Sequence, residues 1–96
     1  MKINELRIGM SSINLTAKVV GVSEPRNVRT KMGYQTRVAT ATIEDDTGKI
    51  PMSLWGRQID EFNVGDTIEV KDGFVSEFRG ELQLNVPRKG QITKVG

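Results

Sequence analysis

Cysteine and histidine are both absent from this chain of 96 residues, which leaves its chemistry to carboxylates, cations, hydroxyls and aromatic rings. Thiol nucleophiles, disulfide frameworks, Cys/His zinc sites and imidazole acid–base catalysis are excluded together. The aromatic rings carry the strongest signal. In Ile50-Pro51-Met52-Ser53-Leu54-Trp55 the apolar Ile50, Met52 and Leu54 share one strand face, and Trp55 falls on the other with Ser53. Ile68 and Val70 set a second parity that Val75 breaks, and Gly73 offers the bulge that would flip it. After the flip Val75 points inward, while Phe74, Ser76 and Phe78 point outward. Arg79-Gly80 reads as a hairpin tip, beyond which Leu82, Leu84 and Val86 face in and Gln83 and Asn85 face out. Trp55, Phe74 and Phe78 then share an exterior surface with Ser53, Thr40, Thr42, Gln83 and Asn85. Such a face suits single-stranded nucleic acid, because every base has a π-face and stacking contributes about 1–3 kcal/mol per base. Two plainer readings stand beside it: Trp55 folding over the end of the core, and an aromatic subunit interface.

Cations accompany the aromatics. Residues 24–37 carry Arg26, Arg29, Lys31 and Arg37 against Glu24 alone, a net +3. Residues 79–94 carry Arg79, Arg88, Lys89 and Lys94 against Glu81, again +3. The stretch between them holds nine acids against Lys49, Arg57 and Lys71, a net −6, so the overall +2 conceals a segregated charge. Two basic segments flanking an acidic middle can build one positive face. The plainer reading of the first segment is a solvated loop.

Enzymatic motifs are weaker. Asp46-Thr47-Gly48 spells the Asp-Thr-Gly triplet of aspartic proteases, which need two carboxylates sharing a proton in a shielded site. Glu44 and Asp45 precede it where an apolar strand is expected, and Lys49 follows where a small residue is usual. A turn between two strands explains Asp45 and Asp46 better than catalysis or a hard cation. A phosphate-binding loop is excluded, since Ile50 follows Gly48-Lys49 and Ile43 stands where its first glycine belongs. The chain reads as a binding protein without enzymatic activity, metal or cofactor.

Strands carry these residues. Alternation with period two runs through Ile13–Val19, placing Ile13, Leu15, Ala17 and Val19 on one face, with Gly21 as a bend. Arg37–Ile43 turns Ala39, Ala41 and Ile43 inward, and the Asp45–Gly48 turn leads into Lys49–Trp55. Thr67–Val75 and Glu81–Val86 complete five strands. Residues 23–36 form a long polar connection, Arg57–Val64 supplies one or two helical turns, and Leu6 and Ile8 plug the core from the N-terminus. This order predicts an all-β OB-fold, a five-stranded Greek-key barrel with a short helix between its third and fourth strands. One domain, 1–96, is all the length allows. No apolar run reaches the roughly 20 residues of a membrane helix, and a soluble cytoplasmic protein is expected.

The run Asp45-Asp46-Thr47-Gly48-Lys49 followed by Ser53-Leu54-Trp55-Gly56 resembles the D-x-T-G…L-W-G signature of simple archaeal single-stranded DNA-binding proteins. Their eukaryotic single-OB relatives and the OB domains of replication protein A share it. Leu6-Arg7-Ile8-Gly9-Met10, Arg26…Thr30-Lys31-Met32-Gly33 and Phe78-Arg79-Gly80-Glu81-Leu82-Gln83-Leu84-Asn85 match too, so the resemblance spans roughly residues 4–95. It implies base stacking at Trp55, Phe74 and Phe78 and backbone contacts from loop cations. The candidate site is completed by Arg26, Arg29, Thr30, Lys31, Tyr34, Arg37, Ser53, Arg57, Arg79, Gln83 and Asn85. The implied partner is single-stranded DNA, bound largely without sequence preference in replication, recombination and repair at the nucleoid, together with proteins of those processes. An RNA ligand and a protein-interaction role for the same face are the alternatives.

Overall fold

Alternation sets the inner face of each strand. Ile13, Leu15, Ala17 and Val19 are buried while Asn14, Thr16, Lys18 and Val20 are exposed. The computed structural model describes residues 1–29, 31–87 and 90–95, with Phe78 described by its main chain only. After a 3-10 turn at Ile3–Glu5, the chain forms β1 (Ile13–Val22), β2 (Arg26–Arg29), β3 (Gln35–Glu44) and β4 (Lys49–Trp55). A single-turn helix α1 (Gln58–Glu61) leads to β5 (Thr67–Phe78), β6 (Glu81–Asn85) and β7 (Gln91–Val95). Five strands close a ring in the order β1-β3-β4-β6-β5, with β5 returning to β1. The β4–β6 contact is parallel and the other pairings are antiparallel. This is the expected OB-type barrel, with α1 between its third and fourth ring strands, β4 and β5.

Two strands lie outside that expectation. The polar connection 23–36 contains β2, which pairs with the first half of β3 from Arg26↔Val38 to Arg29↔Gln35. Most of this ribbon is wet on both faces, so it carries no apolar alternation to betray it. β7 pairs with β5 from Lys71↔Gln91 to Thr67↔Val95 and contributes only the half-buried Ile92 to the core's margin. Its other apolar residue, Val95, has the opposite parity and is exposed, so no period appears.

The anticipated bulge in β5 is present, one residue earlier than expected. Leu15 pairs with Val70 and Ile13 with Gly73, so β5 spends an extra residue against β1. Asp72, at φ 57°, takes the left-handed conformation, not Gly73. Gly73 serves close approach instead: a Cβ there would lie 3.2 Å from both Leu84 Cδ1 and Val70 Cγ1 and 3.3 Å from the Asn85 carbonyl oxygen. The bulge buries both Val70 and Val75 and turns Phe74 outward.

The two ends of β4 are capped differently. Beyond Trp55, α1 contributes buried Ile59, and Phe62, just past the helix, is buried as well. At the Lys49 end, the 3-10 turn brings in Ile3 and Leu6, whereas Ile8, expected inside, is exposed. The N-terminal turn is tied to the β3–β4 turn through Asp45. Its Oδ1 accepts from Thr47 N (2.7 Å), Thr47 Oγ1 (2.6 Å) and Gly48 N (3.2 Å), and its Oδ2 accepts from Ile3 N at 2.8 Å. Thr47 Oγ1 in turn accepts from Asn4 N. Burial disfavours the Asp45 carboxylate, but these donors outweigh it and lower its pKa to about 2. Asp46, the acid of the protease-like triplet, is exposed and pairs with Lys2 at 2.7 Å. Among the described residues no helix is long and apolar enough to cross a membrane.

Candidate nucleic-acid interface

The outer face of the barrel is a lattice of cross-strand rows. Arg26 of β2 pairs with Val38 of β3, which pairs with Trp55 of β4. Parity then places Thr40 against Ser53 and Thr42 against Pro51. On the far side of the seam Gln83 of β6 pairs with Ser76 of β5, and Asn85 pairs with Phe74. Gln83 Nε2 donates to Ser53 Oγ across the seam, and Asn85 Nδ2 donates to Ser76 Oγ at 2.7 Å. These bonds join the rows into one floor. Trp55 is 47% exposed and Phe74 38%, although full burial of such rings would contribute roughly 1.5–3 kcal/mol each. Val38 lies outside the core cluster yet is buried, in the row between Arg26 and Trp55.

The chain leaves β4 abruptly. Gly56, at φ 56°, turns it into α1, and Gly56 N donates to the Arg37 carbonyl at 2.9 Å. Gln58 Oε1 accepts from Trp55 N at 3.1 Å, so the backbone of the tryptophan is held from the helix. Trp55 stands between two hollows. One, of ≈ 370 Å³, is walled by Arg26, Val38, Ser53, Glu81 and Gln83. The other, of ≈ 490 Å³, is walled by Arg57, Gln58, Glu61 and Pro87. Pro87 also borders a third hollow beside Phe74, so the two aromatics lie along one track.

The cations divide. Arg26 enters the groove beside Trp55, and Arg57 lines the hollow on its other side. Arg37 leaves the face: its Nη2 donates to Asp60 Oδ2 of α1 at 3.1 Å. Arg29 neighbours Val28, a wall of the groove, and so falls on the opposite side of the ribbon. Lys31 and Tyr34 lie between β2 and β3, with Tyr34 66% exposed. Arg79 and Gly80, at φ 53° and 82°, form the two-residue turn between β5 and β6, beyond the groove. Thr30 and the Phe78 side chain lie outside the described residues. Residues not singled out from the sequence also line the track, chiefly Val38, Glu81 and Pro87. Val38 shares the parity of Thr40, and Glu81 that of Gln83, so period two could have found both. Among the described residues no group of three His, Cys, Asp or Glu side chains is placed to hold a metal ion.

A model of the family described as single-stranded DNA binding protein Ssb-like, OB fold, matches residues 6–94. The single-stranded DNA binding protein Ssb of Saccharolobus solfataricus is 31% identical over 93 residues, which is 97% of this chain. The chain spans 62% of that relative's length. Replication factor A of Methanothermobacter thermautotrophicus is 34% identical over 97 residues, covering 95% of this chain and 12% of that protein. The solution structure of an OB domain from Thermoplasma acidophilum superposes with a TM-score of 0.86 at 25% identity, covering 100% of this chain and 86% of that one.

Proposed function

The chain belongs to the Ssb-like OB-fold family of single-stranded DNA-binding proteins, and on that premise we propose that its outer face binds single-stranded DNA. The carrying observation is the row Arg26–Val38–Trp55, which sets a cation beside a half-exposed indole above a hydrogen-bonded floor. Bases stack on Trp55 and Phe74, with Phe78 as a third stacking position by sequence. Arg26 and Arg57 follow the phosphates on either side of the indole, and the β2–β3 arm adds contacts beyond the groove through Lys31 and Tyr34, with Arg29 on the arm's other side. Binding of this kind involves no chemical step; it shields exposed strands in replication, recombination and repair, where proteins of those processes are its partners.

A duplex hides its base faces, whereas a merely cationic patch binds single and double strands alike. Titration with single-stranded DNA, its duplex and RNA of the same sequence tests the reading. At least a tenfold preference for the DNA single strand over the duplex, about 1.4 kcal/mol, is expected at moderate salt. Equal affinity for both, or none for either, would reassign the aromatic face to a protein partner.

A further inference from the structure

β6 presents Glu81, Gln83 and Asn85 at spacing two, on the same strand face. Each amide donates an N–H within the face, Gln83 to Ser53 Oγ and Asn85 to Ser76 Oγ. Among the hydrogen bonds of the described residues none is accepted by either side-chain carbonyl oxygen, which leaves both oxygens able to accept from a ligand. Glu81, a pure acceptor when ionised, walls the same groove as Trp55, and none of the ion pairs among the described residues engages it. A carboxylate in this groove repels phosphates but is a strong acceptor for the N–H of a base. We propose that the β6 face is an acceptor wall that reads base edges, with Glu81 accepting from the exocyclic amino group of a base stacked on Trp55.

Cytosine offers an N4 amino donor to such a wall. Thymine carries a carbonyl oxygen at the same ring position, which meets the carboxylate as acceptor against acceptor. The two pyrimidines are equal in ring size, so stacking differs little between them. The inference rests on the single-strand reading above and adds base preference to it.

Affinities of the wild-type protein, Glu81→Ala and Glu81→Gln for dT and dC oligonucleotides of equal length, at pH 7.5, test it. Loss of the charge raises affinity for both strands through the phosphates, but the dC/dT ratio cancels that effect. The ratio is expected to fall about threefold to tenfold in Glu81→Ala, the span of one net hydrogen bond. A fall is expected in Glu81→Gln too, since its new amide donor suits the thymine carbonyl. An unchanged ratio, with both affinities raised in proportion, would overturn the acceptor wall and leave single-strand binding intact. Failure of the wild-type protein to bind either strand would overturn both.

Discussion

The Gln83 amide donates to the Ser53 hydroxyl across the seam where β4 and β6 share the backbone bridge Met52↔Leu84. A side-chain bond thus reinforces the barrel directly beneath the aromatic face, and Ser53 is buried to receive it. Ser53→Ala leaves a half-buried donor unpaired, and a loss of about 1–3 kcal/mol of stability in denaturant titration is expected. Ser53→Thr keeps the hydroxyl and should lose less. Equal losses in the two variants would show that the bond is immaterial.

Trp55 reports its own occupancy. Its fluorescence should be quenched by short oligo-dT, and Trp55→Ala should weaken binding by about 1–3 kcal/mol. The ring is half outside the barrel, so the variant is expected to keep the circular dichroism of the parent. A folded variant with unaltered affinity would remove Trp55 from the binding surface.

Salt dependence separates the cations. Each phosphate contact on a single strand contributes a slope of about −0.7 in log K against log salt. Arg26→Ala should make the slope shallower by about one contact, and Arg29→Ala with Lys31→Ala should make it shallower by up to about two. Arg37→Ala should leave it almost unaltered, because that guanidinium is engaged by Asp60. Phe74→Ala should lower affinity at constant slope. Equal slopes in the parent and Arg26→Ala would place the phosphates elsewhere.

Asp45 links stability to pH. Its folded pKa of about 2 lies below the ordinary 3.8, so the unfolded chain binds the proton more readily. The stabilisation is complete above the unfolded value and is lost as pH falls from about 4 through about 2. With partial solvent screening it amounts to about 1–2 kcal/mol. Asp45→Asn should be less stable than the parent at pH 7, and the gap should close toward pH 2. A gap independent of pH would assign the loss to lost hydrogen bonds alone.

Gly73 tests the bulge. A methyl group there meets Leu84, Val70 and the Asn85 carbonyl at 3.2–3.3 Å in a close-packed interior, and Gly73→Ala should cost about 1–3 kcal/mol. Because the same backbone aims Phe74, the variant should also bind single strands more weakly than its folded fraction predicts.

The strands that face the core were legible because each imposes a two-residue period, and the broken parity at Val75 disclosed both the bulge and the outward turn of Phe74. The β2 ribbon and β7 were hidden, since a strand with little apolar face writes little alternation. The outward placement of Trp55 and Phe74 followed from parity alone. The fate of Arg37 did not, because its partner Asp60 stands on a different element and the pairing depends on where α1 packs. Conversely, the Asp-Thr-Gly triplet owes its chemistry to its neighbour: Asp45, one residue earlier, organises the turn and anchors the N-terminus.

Closing the ring brings Leu15 against Val70, far apart along the chain, whereas the β3–β4 and β5–β6 turns join neighbouring segments. Loop-closure entropy must be met before that contact returns any energy, which places such a barrel among slow, non-local folders. The rows of the outer face draw on residues from Arg26 to Asn85, so no hairpin taken alone contains them. Affinity for a ligand on that face is then inseparable from cooperative assembly. A substitution at Leu15, well inside the barrel, would titrate as a binding defect by depleting the competent population, and saturating ligand would restore it by mass action.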